Sequence, residues 1–448
     1  MANFRGDVNQ NGMPRTKHPN INKLTNIRTN PYSLQPGNIC DFEPRTINQS
    51  AQELFPADFH MGIDKSNVPT YQTPLPDELF HFDSFMPFRT LPKTLFGIRV
   101  TVLKDATLLG FRVHHYLCDG ASRGQAIKAY RDIIAGKQIA TSILLPDTPL
   151  SKLLQKEVMS PLPSGIRTED TPYLYPNEKY QLGVRPWIHF LGHATYRTVG
   201  AKLGIYGMKS KVRFIHLPGP TIEHWRSECQ NDLRKAKVDV PTLSKLDIVL
   251  AWFLKVRCLQ AKHRNYSLTF VQTSMSHVPP DNSSLVFRCS FSYRFALRTP
   301  GPSEVYLNNS IYEMMVHWDS LQVFQDSSLG SLAMVIRRSV LCNKQPEIIK
   351  ANVEFHEEHF ADFVAPTPSR LPIVTSWTAF EHNGLDFSAA LIGGQEGSTG
   401  EGKVVFTQPK VEFPLGIILD GAFVLKDGSG GYWILANLSQ TGWKGHNQ

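Results

Sequence analysis

The stretch of the chain with the clearest chemical potential is His114-His115-Tyr116-Leu117-Cys118-Asp119-Gly120. With 16 histidines in the sequence, a His followed four residues later by Asp is expected about once by chance, and a Gly directly after the Asp lowers that expectation to roughly 0.06. Imidazole, with an ordinary pKa of about 6.5, is the side chain best matched to accept a proton at neutral pH. His115 is therefore a candidate general base for an alcohol or amine that attacks a thioester.

Asp119 has a different expected role. The Gly that follows it indicates a turn, and a carboxylate there is better explained by pairing with a buried Arg that holds the loop than by contact with the imidazole. Taken alone, the pair is also compatible with a core His and a turn Asp without chemistry.

The elements that must position His115 are a strand before it and a helix after it. Alternating apolar residues over 98–102 predict a half-buried strand, and the alternation over 109–115 places His115 at the end of a second strand, on its apolar face. The apolar period then becomes helical, and the helix is predicted to stop at Gly136.

The rest of the chain shows mixed strands and helices without strict alternation. This predicts α/β layers with mixed sheets, not a doubly wound parallel fold. A length of 448 residues predicts two domains, 1–200 and 201–448. The expected strands are 212–217, 268–275, 286–296 and a strand-rich tail over 372–437; the expected helices are 221–233, 242–261, 309–323 and 328–343.

Composition limits the classes of function. The charge of +8 comes from dispersed basic residues without a Lys/Arg block, which argues against a nucleic-acid partner. The six cysteines lack CxxC or other metal-type spacing, so they predict reduced thiols in a cytoplasmic protein and no metal. The sequence contains no run of about 18 uncharged apolar residues, so no membrane span is expected. No secretory signal is visible at the N-terminus.

Several motifs, in order, resemble those of the BAHD acyltransferases, coenzyme A-dependent relatives of chloramphenicol acetyltransferase. The likeness covers most of the chain from about residue 90. It comprises the HxxxD motif with its following Gly (115–120), a long helix (244–252), an Arg-bearing strand (Tyr293-Arg294), a Tyr-Phe-Gly-Asn-like segment (306–309), Thr375-Ser376-Trp377, and Asp386-Phe387 nine residues after the Trp.

The resemblance implies two chloramphenicol acetyltransferase-like domains with a solvent channel between them. It implies that His115 is the general base and that a monomeric enzyme moves an acyl group directly from acyl-coenzyme A to a small hydroxylated or amine acceptor, without a metal or another cofactor. The residues that bind coenzyme A are not identified from the sequence.

The resemblance also assigns roles to other residues. Arg294 would pair with Asp119, Thr375 and Trp377 would line the channel near the oxyanion, and Asp386 would support the interface between the domains. The last station departs from the family pattern, because residues 386–390 read Asp-Phe-Ser-Ala-Ala without the Trp and the two glycines. Such divergence is similar to fungal secondary-metabolism members, and it leaves open an inactive binding protein of the same fold.

Other motifs have a plainer reading. Gly120 to Gly124 match GxSxG, which would make Ser122 the nucleophile of a serine hydrolase, but Ser122 and Gln125 also fit a capping box at the helix start. Residues 397–403 match a phosphate-binding loop without its Ser/Thr and lead into apolar residues, which predicts a hairpin loop. Residues 356–359 (His-Glu-Glu-His) lack zincin spacing and predict a solvated helical face.

Overall fold

A computed structural model of the protein describes the chain over residues 7–8, 14–15, 40–60, 67–80, 96–113, 115, 118–139, 142–144, 150–154, 195, 199–200, 203, 210–236, 241–262, 285–297, 304–307, 309–358, 370–380, 382–390, 402–410, 421–439 and 443. The predicted strand at 268–275 and most of the predicted connection at 145–190 lie outside these residues.

The described strands are β1 (Asp7–Val8), β2 (Pro14–Arg15), β3 (Cys40–Thr46), β4 (Thr70–Gln72), β5 (Phe96–Val102), β6 (Thr107–Val113), β7 (Ser142–Leu144), β8 (Ser210–Leu217), β9 (Leu285–Ser292), β10 (Glu304–Tyr306), β11 (Ile311–Trp318), β12 (Arg370–Ser376), β13 (Gly421–Lys426) and β14 (Tyr432–Ser439). The described α-helices are α1 (Ala51–Leu54), α2 (Gly120–Ile134), α3 (Gly219–Lys235), α4 (Lys245–Lys262), α5 (Leu321–Asp326), α6 (Leu329–Cys342) and α7 (Pro346–Glu358).

A mixed three-stranded sheet precedes α2. β5 is its central strand, parallel to β3 and antiparallel to β6. The prediction that β5 is half-buried is wrong, because Arg99 and Thr101 are buried as well as the apolar residues between them. Arg99 bonds the carboxylate of Glu43 (3.0 Å), and the Thr101 hydroxyl donates to the Leu79 carbonyl (3.1 Å). These partners compensate the polar groups for their loss of water.

A mixed seven-stranded sheet forms the largest layer, in the order β11-β9-β12-β13-β14-β8-β4. β9, β12 and β13 run parallel, and the other neighbours are antiparallel. One face packs against the apolar sides of α3, α4 and α6, where Phe253, Phe287 and Phe324 are fully buried. Burial of this apolar surface is the main term that stabilises the layer.

The helix predicted over 309–323 is a strand for most of its length. β11 alternates buried and half-buried residues, with Tyr312, Met314, Val316 and Trp318 facing the core. It pairs with β9 over all eight of its residues. A period of two is the side-chain period of a strand, so tertiary pairing along β9 decides the conformation over helical propensity.

The opposite face of the large sheet carries a smaller aromatic cluster. Phe214, Trp377, Leu425, Trp433 and Leu435 are its buried members, with Phe380, Phe406 and Phe423 packed beside them. Their parity along β8, β13 and β14 is opposite to that of the residues beneath the helices.

The segment 377–387, of which every residue except 381 is described, extends from this cluster along α2. A β-carbon added to Gly120 would lie 2.7 Å from Phe380 Cε2 and 3.1 Å from Trp377 Nε1, so the segment lies almost on the helix backbone. Further along α2, the ring of Tyr130 lies 6.4 Å from that of Phe387. The helix ends at Ile134, and Gly136 follows with a positive φ of 68°.

Two pairings join residues on either side of the predicted boundary near residue 200. β4 pairs with β8 at the edge of the large sheet, and β7 pairs in parallel with β10. The boundary itself stays a prediction. Among the described helices, none has the length and apolarity that a bilayer span requires.

The close approach at Gly120 predicts an asymmetry between two glycines of α2. Gly120→Ala must displace Phe380 and Trp377, and overpacking of this kind costs about 1–3 kcal/mol. Gly124→Ala is the matched control. Its β-carbon would lie 3.6 Å from His382 Cε1, an ordinary contact, and Ala gains up to about 1 kcal/mol in helix propensity. In urea unfolding, Gly120→Ala should lower the free energy of unfolding relative to the parent, and Gly124→Ala should raise it. Equal changes in the two variants would contradict this packing.

Candidate functional site

Asp119 is the N-cap residue of α2. Its backbone is extended, and its side chain accepts a hydrogen bond from the Ser122 backbone N–H at 2.9 Å. The predicted capping box of Ser122 and Gln125 is therefore wrong, because the helix begins at Gly120 and Ser122 is already its third residue. A carboxylate at this position satisfies a free N–H and lies at the positive end of the helix dipole.

The Asp119 carboxylate also binds distant parts of the chain. Arg294 Nη2 lies 3.0 Å from both oxygens, and the Ser310 backbone N–H donates to Oδ2 at 2.9 Å. The Asp119 side chain is 1% exposed and that of Arg294 is 23% exposed. A buried carboxylate needs this degree of pairing, because an unpaired charge away from water is strongly unfavourable.

Ser122 belongs to the same network. Its hydroxyl accepts from Arg294 Nη2 at 2.9 Å and faces the Tyr306 carbonyl at 3.5 Å, to which Arg294 Nη1 donates at 2.6 Å. The side chain is buried, and the guanidinium of Arg294 donates to its hydroxyl oxygen. A serine nucleophile must be accessible to substrate and its oxygen free to attack, so burial and the bond from Arg294 suit a structural residue.

His115 lies in the turn between β6 and α2 and is exposed. The expectation that it ends the apolar face of a strand is wrong, since β6 stops at Val113. The turn is held from the other side by Asn309, whose Nδ2 donates to the His115 carbonyl at 2.8 Å. An imidazole on an exposed turn can reach solvent and substrates, whereas its backbone is fixed.

Asn309 and Ser310 therefore hold the two ends of the loop 115–119, a role that the sequence did not reveal. The sequence feature that could have indicated this role is the Asn at the end of the segment 306–309. Neither bond follows from spacing, because each joins residues more than 190 positions apart.

Trp377 follows β12 and lies against the start of α2. Its backbone N–H donates to the Val424 carbonyl at 2.8 Å. Its ring contacts Phe423 and the guanidinium of Arg123, whose Cζ lies 4.0 Å from the ring centroid. Thr375 is half-buried near the end of β12, paired with Phe423 of β13. The structure thus brings Trp377 to the helix that follows the His-Asp loop.

Asp386 is not brought into the cluster around Asp119. It is exposed, and its Oδ1 accepts from the Ser388 backbone N–H at 2.8 Å. Hydrogen bonds from Ser388 lower the pKa of the Asp386 carboxyl. Its buried neighbour is Phe387, whose backbone N–H donates to Gly402 at 2.8 Å. Asp386 thus stabilises a local turn through its bond to Ser388.

Two further side chains near the loop, Cys118 and His382, have pKa values shifted by burial. Burial raises the pKa of the Cys118 thiol to about 11, so it is not a nucleophile at neutral pH. Burial, with the nearby charges of Arg123 and Lys128, lowers the pKa of His382 to about 4. His382 is 7% exposed and was not singled out from the sequence. Among the described residues, no group of three or more His, Cys, Asp or Glu could hold a metal ion.

The chain is similar to the acetyltransferase peniE of Penicillium patulum, with 28% identity over 438 residues that cover 93% of this chain and 85% of the relative. No protein-family model matches the sequence.

Solved structures share the fold at low identity. TRI101 of F. sporotrichioides, complexed with coenzyme A and T-2, has a TM-score of 0.56 at 12% identity and covers 90% of this chain and 78% of its own. TRI101 of F. graminearum, with coenzyme A and deoxynivalenol, also has a TM-score of 0.56, at 10% identity over 90% of this chain and 78% of its own. Vinorine synthase has 0.52 at 12% identity over 90% of this chain and 74% of its own. The expected two-domain α/β fold with mixed sheets is confirmed.

The lowered pKa of His382 makes stability depend on pH. Between its ordinary value of 6.5 and about 4, the unfolded state binds a proton that the folded state does not, so the free energy of unfolding falls as the pH falls through this range. The loss is on the order of 3 kcal/mol.

His382→Gln should therefore reduce the acid sensitivity in urea titrations between these pH values. His224→Gln is the control, because the His224 side chain is 68% exposed on α3. An equal slope in both variants and the parent would contradict a buried neutral His382.

Proposed function

We propose that the chain is a divergent BAHD acyltransferase of the fungal type that transfers an acyl group from acyl-coenzyme A to a small hydroxylated or amine secondary metabolite, with His115 as the general base. The observation that carries this proposal is an exposed imidazole on a loop whose two ends are fixed, by Asn309 at His115 and by Arg294 and Ser310 at Asp119. A catalytic base must be both accessible and held in place.

In the proposed reaction, the acceptor's hydroxyl or amine loses its proton to the His115 imidazole as it attacks the thioester carbonyl. The tetrahedral oxyanion then collapses, the carbon–sulfur bond breaks, and the imidazolium returns the proton to the departing thiolate of coenzyme A. No covalent enzyme intermediate is needed. Thr375 and Trp377 are proposed to line the channel near the oxyanion; the position of Trp377 against the first turn of α2 supports this assignment for Trp377.

Asp119 and Arg294 are proposed to act through position. The Asp119 carboxylate accepts four hydrogen bonds from Ser122, Ser310 and Arg294. Its proposed role is therefore to hold the loop, not to orient the imidazole. Asp386 is proposed to be structural, as its local bond to Ser388 suggests.

Comparisons with other proteins support the nature of the substrates. Both TRI101 structures contain coenzyme A together with a small molecule, T-2 or deoxynivalenol. The relative from Penicillium patulum is named an acetyltransferase. Acetyl-coenzyme A is therefore the first donor to test. The domain division at residue 200, a solvent channel between the domains, a monomeric state and a cytoplasmic location are parts of the same proposal; the free thiols of Cys118, Cys229, Cys289 and Cys342 suit a reducing compartment.

Two other functions predict different behaviour. A serine hydrolase would use Ser122, whose buried hydroxyl is instead bound by Arg294. An inactive binding protein of the same fold would bind ligands without releasing coenzyme A.

The first test compares two alanine variants in the same helix-turn unit. His115→Ala should lower the rate of coenzyme A release by at least about 10²-fold, the usual contribution of a general base. Ser122→Ala should retain most of the activity, because it removes only one of several bonds to Arg294. The measurement is thiol release from acetyl-coenzyme A with a panel of hydroxylated and amine acceptors. Activity that survives loss of His115 but not loss of Ser122 would favour the hydrolase.

The second test concerns the Asn309 side chain. Asn309→Ala should lower kcat about 10-fold or more with little change in the KM for acyl-coenzyme A, because the His115 turn loses its anchor and misplacement of a base mainly affects the chemical step. Asn352→Ala is a matched control on α7: Asn352 Nδ2 also donates to a backbone carbonyl at 2.8 Å, that of Ile348. If both variants lose stability and activity in parallel, Asn309 has no special part in catalysis.

A further inference from the structure

The guanidinium of Arg123 is stacked on Trp377. Its Cζ lies 4.0 Å from the ring centroid, and the side chain is partly buried in the first turns of α2. Contact with an aromatic ring uses the face of the planar group. The five N–H donors of a guanidinium point outward in its plane, so stacking leaves them available and fixes the plane in which they point.

Within the described part of the chain, no carboxylate pairs with Arg123. The nearest acidic residue in sequence is Asp119, whose two oxygens already accept from Ser122, Ser310 and Arg294. No hydrogen bond or ion pair connects the Arg123 guanidinium with a described residue. The contrast with Arg294, which is committed to Asp119 and Tyr306, is therefore clear.

A partly buried cation without a bonded counter-ion is costly, and proteins usually pair such a charge. Burial lowers the pKa of Arg123 to about 10, which still leaves the group charged at neutral pH. The neighbouring His382 is neutral there, and the charges of Arg123 and Lys128 contribute to its low pKa. The charge of Asp119 acts on Arg123 in the opposite direction to burial, but it does so without a bond, and an anion bonded to the guanidinium would offset more of this positive charge.

The position of Arg123 indicates which end of a ligand it would meet. Arg123 is four residues beyond Asp119, roughly 6 Å along the helix axis, and Asp119 is four residues beyond His115. The charge of the guanidinium acts on the Cys118 thiol, so Arg123 lies close to the loop that carries the proposed base. An anion there belongs near the reacting carbonyl, and a carboxylate matches the fork of a guanidinium with two parallel hydrogen bonds.

We propose that Arg123, held by Trp377, binds a carboxylate on one of the two substrates: either the free carboxylate of a dicarboxylic acyl group or that of an acceptor acid. This inference rests on the proposed acyl transfer. It makes Arg123 a specificity-determining residue that leaves the proton transfer to His115.

The donor arm measures binding without turnover. In a His115→Ala background, calorimetry compares acetyl- and malonyl-coenzyme A with and without Arg123→Gln. If the acyl group supplies the carboxylate, malonyl-coenzyme A binds more tightly, and Arg123→Gln weakens it about 10- to 100-fold while acetyl-coenzyme A is unaffected. Arg123→Lys keeps the charge without the planar fork, so its affinity for malonyl-coenzyme A should lie between those of the protein with Arg123 and of Arg123→Gln.

The acceptor arm uses the enzyme with His115 in place and acetyl-coenzyme A. Small hydroxy acids are compared with their methyl esters by thiol release. If the acceptor supplies the carboxylate, the acids have the higher kcat/KM, and Arg123→Gln removes the difference mainly through KM.

Arg131→Gln is the matched control, since it removes the same charge from the same helix at a residue already bonded to Asp132. It should change neither preference. Thermal unfolding checks that Arg123→Gln is folded; if it is not, Arg123→Lys carries the comparison. Turnover without any preference for a carboxylate in either arm, or an equal loss for acetyl- and malonyl-coenzyme A, overturns the inference. Absence of turnover with every donor and acceptor contradicts the proposed function instead, and the donor arm is still read from binding.

Discussion

The arrangement of the site depends on one buried carboxylate. Asp119 is almost fully removed from water, and its two oxygens accept from the Ser122 and Ser310 backbones and from Arg294. Such a group is tolerable only while all its donors stay in place, because loss of one partner leaves another charge buried without compensation. The start of α2, the turn after β9 and the residue before β11 are therefore held together at a single point. The turn that carries His115 is directly connected to this point and is therefore held in position by it.

A second constraint acts on the side of α2 that faces the segment 377–387. The backbone of the helix comes so close to Trp377 and Phe380 that residue 120 has no room for a β-carbon. This contact connects the aromatic face of the seven-stranded sheet with the helix after the His-Asp loop. Phe387 extends the contact to Tyr130 near the far end of the helix. The segment thus contacts α2 from Gly120 to Tyr130, although its sequence lacks the Trp and glycines of the BAHD pattern that it resembles.

Burial separates the reactive groups near the loop by role. Cys118 and Ser122 are held away from reaction, the first by a raised pKa and the second by its bond to Arg294. His382 is kept neutral in the interior. His115 is exposed, and the guanidinium of Arg123 forms no ion pair within the described part of the chain. Accessibility, more than residue type, therefore decides which groups can take part in chemistry.

The sequence by itself determined the features that depend on short-range order. The spacing of His115, Asp119 and Gly120 predicted a turn before a helix, periodicity located α2 and its end at Gly136, and the mixture of elements predicted mixed sheets. Only the tertiary structure decided the features that depend on distant partners. Residues 311–318 are a strand because β9 pairs with them, and the carboxylate of Asp119 is buried and paired because Arg294 and Ser310, 175 and 191 residues away, donate to it. The anchoring by Asn309, the stacking of Arg123 and the burial of His382 likewise come from contacts between segments, which no local pattern encodes.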